Sequence, residues 1–473
     1  MTAAIVTHTA AAAANIQKKP KNNDLTSSSI LHTRLHSTPP KIISARGNYL
    51  TTAEGTEVFD ATGGAAVACI GHNNARVKRA IAEQLETVGY CYSPFFTTDA
   101  SERLARYLTN STNGEMARVF IVSSGTEAVE AALKLARQYF VESEGAGTGR
   151  CHFIAREQSY HGNTLGSLGV GSHKGRKAIY LPLLAGNFSH VSPCYPYRGM
   201  LKGESEEMYV AKLKAELEAE FVRVGPEKVC GFVAETMSGV TLGAVPPVTG
   251  YLKAMKEVCD KYGALFILDE VMSGIGRTGT LHAWEQEDVV PHLQTVAKGL
   301  GAGYEPIGAL LVHKTVVDAL SRGSQGFMHS QTYQGHPVAC AAAYEVQQIV
   351  REEDLLANVQ ELGPYLGDSL RKRLGEHQHV GDIRGRGFMW GIELVEDRRC
   401  KKPFPVERKV AGTLHATGLS AEFGISLLPG GGLADGTNGD LIMLAPAYNI
   451  TKADVDLIVE RTAKVVEHVL GRE

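Results

Sequence analysis

The sequence predicts an α/β protein. Its larger domain is a mainly parallel sheet covered by helices on both faces, and a smaller α+β domain follows. Three observations carry this. Short apolar runs alternate with helical patterns from residue 118 to residue 312. The runs are apolar throughout instead of alternating with polar residues, as in strands buried on both sides. At Pro337 the pattern changes to long helices with isolated strands. At 473 residues, 44% hydrophobic and 21% charged, the chain is long enough for two domains and a large core.

In chain order, residues 1–29 are rich in Ala, Thr, Asn and Lys and read as a disordered tail. The segment is too weakly apolar for a secretory signal and has no arginine for a transit peptide, which favours the cytosol over a mitochondrial address. Residues 30–75 form a meander of short strands, at Tyr49-Leu50 and at 57–60, expected to pack with the small domain. Helical patterns follow at 76–86 and 100–108. The large domain, 76–336, then carries strands at 118–122, 151–155, 229–235, 265–271 and 307–312, with helices at 127–140, 206–220 and 250–262. In the second domain, 337–473, helices are expected at 338–352, 406–422 and 452–470, with strands at 388–395 and 441–444. Residues 384–387 read as a turn.

Composition narrows the function. A formal net charge of −3 gives no reason to expect a nucleic-acid partner, and no apolar run approaches the ~18 residues of a membrane span. The eight cysteines include no C-x-x-C pair, which points to reduced thiols and no zinc site. No G-x-G-x-x-G directly follows an early strand, which sets aside a nicotinamide dehydrogenase.

The chemistry gathers around Lys298, between Thr295-Val296-Ala297 and Gly299-Leu300-Gly301. Apolar surroundings disfavour the ammonium form, and a neutral amine attacks aldehydes. Asp269 closes the apolar strand Phe266-Ile267-Leu268. A charge there needs a partner, either an arginine such as Arg277 or the N–H of a pyridinium ring. Ser124-Gly125-Thr126 opens a helix directly after a strand. It is either an ordinary N-cap or a phosphate seat, since unpaired N–H groups and the helix dipole favour an anion. Tyr160-His161-Gly162 follows the 151–155 strand and offers an aromatic face for a flat ring, or a core tyrosine with a hydrogen-bonded histidine. Val271, two residues beyond Asp269, would point to the same side in an extended strand. Lysine, carboxylate and phosphate seat together suit pyridoxal 5′-phosphate.

These segments, with Glu235, Gly276-Arg277-Thr278-Gly279, Ala297-Lys298-Gly299, Thr332, Gly335-His336-Pro337 and Arg384-Gly385-Arg386-Gly387, run in the order of a known family. The chain resembles the class III, or ω-amino and ornithine-type, aminotransferases of pyridoxal-phosphate fold type I. The resemblance implies that Lys298 tethers the cofactor and moves the proton during exchange, and that Asp269 binds the ring nitrogen. It implies further that Ser124, Gly125 and Thr126 seat the phosphate, with His161 beside the ring and Tyr160 and Val271 on its two faces. Glu235 would line the substrate side. Thr332 would reach the phosphate of a neighbouring subunit's cofactor, which makes the active unit a homodimer with shared sites. The substrates implied are a small-molecule amine and a keto acid, with an aminomutase or a decarboxylating transaminase as the neighbouring reaction, and a non-catalytic relative of the same fold as the rival of another class.

One departure concerns the carboxylate clamp. Many relatives carry an arginine near the last strand or in a glycine-rich loop. Here those places hold Met443 and the segment Asp435-Gly436-Thr437-Asn438. Tyr92, Arg384 and Arg386, with Arg46, are the candidates left for substrate contact.

Overall fold

The computed structural model describes residues 28–472 except 34 and 36. Nearly all of the expected tail therefore lies outside the described residues. An N-terminal antiparallel meander comes first: β1 (Ile42–Arg46), β2 (Tyr49–Thr52) and β3 (Glu57–Phe59). It is tied to the C-terminal part of the chain. Phe59 N–H donates to Gly424 O at 2.8 Å, Ser426 N–H to Phe59 O at 3.0 Å and Ala445 N–H to Ala61 O at 2.9 Å.

The central sheet contains β4 (Met116–Val122), β5 (His152–Arg156), β6 (Phe188–Val191), β7 (Val229–Glu235), β8 (Leu265–Asp269), β9 (Leu293–Val296) and β10 (Gly308–His313). Its spatial order is β4-β10-β9-β8-β7-β5-β6, with β10 antiparallel to both its neighbours and every other pairing parallel. The apolar runs are explained by what lies on each face. Phe232, Ala234, Phe266 and Leu268 pack with Tyr209, Phe221, Tyr251 and Leu252 of the helices Glu206–Val224 and Tyr251–Lys261. Their neighbours Val233, Leu265 and Ile267 pack on the opposite face with Val129, Ala132 and Leu135 of the helix Gly125–Glu144. Both sides of the pleat are covered, so both alternating sets are apolar.

A second, antiparallel sheet is ordered β11-β12-β15-β14, from Val380–Arg386, Met389–Asp397, Asp440–Leu444 and Leu428–Gly431, with β13 (Lys402–Pro403) beside β12. The helices Leu355–Leu374 and Lys452–Leu470 cover it. The helix Pro337–Glu352 joins the two parts. Ala339, Cys340 and Ala343 pack with Leu104, Leu108, Leu300 and Ile307, whereas Ala342, Val346 and Ile349 join the core of the second sheet.

Several elements differ from expectation. The helix Leu355–Leu374 is not evident from the sequence, because Gly363, Pro364 and Gly367 interrupt its pattern. Packing requires those glycines. A Cβ on Gly363 would stand 2.8 Å from the Gly387 backbone, and one on Gly367 would stand 2.0 Å from the Trp390 ring. Residues 384–386 are not in a turn but end β11, and the chain reverses at Gly387 (φ +56). The expected 406–422 helix is shortened to Val410–Gly418, because Lys409 takes a left-handed φ of +50.

Candidate active site

The carboxyl ends of β4, β7, β8 and β9 lie along one edge of the sheet, and Ser124, Glu235, Asp269 and Lys298 sit at or just past them. They line a cavity of about 640 Å³ together with Gly125, Thr126, Tyr160, His161, Val271 and Arg176.

Lys298 follows β9, whose four residues are all buried. Its backbone is left-handed (φ +47), and its carbonyl accepts from Gly301 N–H (3.2 Å) and Ala302 N–H (3.0 Å). The glycine-rich turn thus holds the strained residue in place. Burial pulls the amine down to about 8. Asp269 and Glu235 oppose that shift, and Arg277 and Arg176 reinforce it.

Asp269 is 6% exposed and, among the described residues, has no arginine partner. Its Oδ2 accepts from His161 Nδ1 at 2.8 Å, and its Oδ1 from Val271 N–H at 3.0 Å and Thr295 Oγ1 at 3.3 Å. A carboxylate offers about four acceptor positions, so one remains for the cavity. Arg277 is committed elsewhere, to the carbonyls of Phe388 and Pro446 and the face of Tyr448. The second carboxylate, Glu270, is structural. It is fully buried and accepts from Thr236 Oγ1, Ala283 N–H, Trp284 N–H and Gln294 Nε2, each at 2.8 Å. Burial pushes its carboxyl up to about 7.

Val271 lines the cavity for a reason other than the expected one. The strand ends at Asp269, whose side chain captures the N–H two residues on, so Val271 lies in a turn. Gly125 also answers to a neighbour. A Cβ there would meet Val271 Cγ1 at 2.7 Å, so the glycine lets the helix start close against Val271.

Ser124 does cap its helix, its Oγ accepting from Glu127 N–H at 3.3 Å. The Thr126 hydroxyl binds Ser167 Oγ (2.7 Å) and Asn163 N–H (3.1 Å). Both side chains are occupied within the protein, which leaves the first backbone N–H groups of a 20-residue helix for an anion. Gly162 (φ +129) makes this packing possible, since a Cβ would stand 2.1 Å from Thr126 Oγ1. We expect Gly162→Ala to destabilise the protein by about 3 kcal/mol, read from a denaturant midpoint; an unchanged midpoint would contradict the placement of Thr126.

Tyr160 carries the Arg176 guanidinium on one ring face, at 4.6 Å, which leaves the other for a flat ligand. Among the described residues His161 Nε2 and Glu235 Oε2 are buried polar atoms without a hydrogen-bond partner. Glu235 Oε1 accepts from Gly239 N–H at 3.1 Å and the carboxylate lies 3.6 Å from Arg156; burial raises its pKa. A flat phosphorylated aromatic aldehyde fits this set: an anion seat, a free carboxylate position, a buried amine and an open aromatic face.

Other expected site residues are not brought here. Arg384 is one of the candidates for the carboxylate anchor, but its guanidinium is buried and all five N–H groups are used. They go to Gly243 O, Asp382, Glu393, Tyr195 Oη and Leu242 O. Arg386 pairs with Glu287 at 2.7 Å. Arg46 is exposed on β1. Tyr92 is also exposed and packs edge-on against Phe95 at 5.0 Å. Thr332 is exposed outside the cavity, its carbonyl accepting from Tyr90 Oη at 3.0 Å. Arg176 and the apolar wall of Met237, Val240, Met272 and Leu428 were not evident from the sequence; of these only Met272 lies within a motif stretch.

Among known proteins, residues 33–466 match the family described as aminotransferase class-III. A relative from Gibberella zeae, described as an aminotransferase, is 48% identical over 464 residues, 98% of this chain and 91% of its own. An amine transaminase from an uncultivated Pseudomonas species, solved in its PLP-bound form, superposes with a TM-score of 0.86 at 31% identity, covering 96% of this chain and 99% of that one. A thermostable (S)-enantioselective ω-transaminase from Thermomicrobium roseum does so at 0.85 and 32%, covering 98% and 99%. The likeness in sequence runs the length of the described chain, and the likeness in fold covers the same span, so this protein belongs to the class-III aminotransferases.

Proposed function

We propose that the protein is a pyridoxal-phosphate-dependent transaminase. It moves an amino group from a primary amine or ω-amino acid to a keto acid, pyruvate or 2-oxoglutarate, or to a ketone, in a ping-pong cycle. The observation that carries the reading is the Lys298 amine and the Asp269 carboxylate lining the same cavity beside an anion seat, with the amine lowered to about 8. When bound, the coenzyme supplies an aldehyde carbon that accepts nitrogen and a ring that takes up the electron pair left by a departing proton.

The chain's own residues do the rest. Asp269, oriented by His161, Thr295 and the Val271 N–H, presents a fixed negative charge to the ring nitrogen. The N–H groups of Gly125 and Thr126 hold the phosphate. Lys298 Nζ would tether the coenzyme, then carry the proton from the substrate carbon to the coenzyme's aldehyde-derived carbon, and back in the second half of the cycle. The apolar wall of Met237, Val240, Met272 and Leu428 suits the carbon skeleton of an amine donor. The active unit is a homodimer in which Thr332 serves the partner's phosphate seat. Eight unpaired cysteines support a reducing compartment such as the cytosol. Among the described residues no helix is long and apolar enough to cross a membrane.

A panel of primary amines and ω-amino acids, assayed with pyruvate and with 2-oxoglutarate and followed by half-reaction spectra, tests the reading. Amino transfer that requires both partners is the expected outcome. Product without an added keto acid, or release of carbon dioxide, would assign a different reaction.

The covalent step should also follow pH. Only the neutral amine attacks, so attachment of pyridoxal phosphate to the cofactor-free protein quickens as pH rises. The midpoint should lie near the Lys298 value of about 8. A midpoint above 10, the value of an ordinary lysine, would contradict a buried amine.

A further inference from the structure

We infer that Arg176 is the anchor for the carboxylate of the keto acid acceptor, an assignment that rests on the transaminase reading above. Two cations line the cavity, Lys298 and Arg176, and the first is taken by the coenzyme. Among the described residues no acceptor takes a hydrogen from the Arg176 guanidinium, which is exposed and lies over the Tyr160 face at 4.6 Å. A planar fork of five donors, held by stacking and unpaired at a cavity wall, is suited to a bidentate carboxylate.

The surroundings explain why this position can serve. The positions where a clamp was sought are closed. Met443 is fully buried against Met389, Leu433 and Leu441. The loop at 435–438 is folded on itself, with Asp435 Oδ1 accepting from Thr437 N–H (2.8 Å) and Asn438 N–H (2.7 Å). That loop is docked on the segment that bears Arg176. Lys174 Nζ donates to Asp435 O at 2.8 Å, and a Cβ on Gly436 would stand 2.4 Å from the Lys174 stem. Gln158 Nε2 adds bonds to Gly432 O and Leu433 O, each 3.2 Å. The loop therefore packs behind the 174–177 segment, and of the two only the segment, through Arg176, reaches the cavity. Arg176 and Lys298 line the same cavity, so a carboxylate held by the guanidinium stays in the chamber that holds the amine.

The test uses the full-length holoenzyme and a carboxylate-free donor, 1-phenylethylamine, with pyruvate or butanal as acceptor. Arg176→Ala should raise the KM for pyruvate roughly 10- to 100-fold more than it raises the KM for butanal. Arg176→Lys, which keeps the charge and loses the fork, should fall between. Calorimetric titration with propionate reads the same anchor without turnover: the wild type binds and Arg176→Ala binds at least about tenfold more weakly. Equal KM ratios for the two acceptors, or propionate affinity that is equal or absent in both proteins, would overturn the assignment. So would loss of coenzyme retention with an unchanged KM for pyruvate, since the guanidinium would then serve the phosphate. Should the wild type transfer no amino group to any acceptor, the function reading fails by itself, and the propionate titration still decides on Arg176.

Discussion

Replacing Lys298 with alanine is expected to lower kcat by at least about 10⁴-fold while the protein still folds and still binds pyridoxal phosphate non-covalently. Positioned acid–base groups contribute about 10²–10⁴-fold, and loss of the covalent tether adds to that. The retained binding follows from the rest of the site. The N–H groups that open the Gly125–Glu144 helix, the Asp269 carboxylate and the Tyr160 face are all placed without the lysine. The backbone is no obstacle, because alanine meets the same cost at φ +47 as lysine does. The linkage sign agrees. The folded-state pKa of Lys298 is below its unfolded value, so its contribution to stability grows as pH rises through the interval from about 8 to the ordinary value, and is least favourable below 8. At pH 7 the variant should therefore melt no lower than the wild type. Stopped-flow and steady-state rates, with a melting curve of each protein, check both parts. Steady turnover comparable to wild type would remove Lys298 from the reaction.

The second large effect is expected at Asp269. Asparagine keeps the size of the side chain and, through its amide oxygen, the contacts to Thr295 and the Val271 N–H; it keeps the His161 contact only with the other imidazole tautomer, and it removes the charge. A unit charge about 4 Å from a ring nitrogen, at an effective dielectric near 20, is worth about 4 kcal/mol. Asp269→Asn should thus lower kcat by about 10³-fold, with coenzyme still attached at Lys298. Asp269→Glu keeps the charge and misplaces it, and should recover part of the loss. A drop of less than tenfold in the asparagine variant would show that the carboxylate orients His161 and does little for the ring.

Much of this was legible in the sequence, for identifiable reasons. Strands β7 and β8 are apolar because both faces of the sheet are covered, and that leaves a one-dimensional signature. Lys298 and Asp269 were legible because a charge at the end of such a run must be explained. The Leu355–Leu374 helix was not legible. Its glycines answer to Trp390 and Gly387, residues far away in the chain, and they mask a helical period. The demand that Val271 places on Gly125 was not legible either, because it comes from a residue far along the chain. Arg384 was a reasonable anchor by type, but burial beside Glu393 and Asp382 uses every donor it has. Arg176 was invisible because a short basic stretch, Lys174-Gly175-Arg176-Lys177, reads as solvated surface until the fold lays it along the cavity.

The central claim is that one particular amine carries the coenzyme. Borohydride reduction of the yellow holoenzyme, followed by proteolysis and mass mapping, measures it directly. The account predicts the reduced coenzyme on the peptide that contains Lys298 and on no other. Label on a different lysine, or a protein that takes up no coenzyme at all, would contradict it.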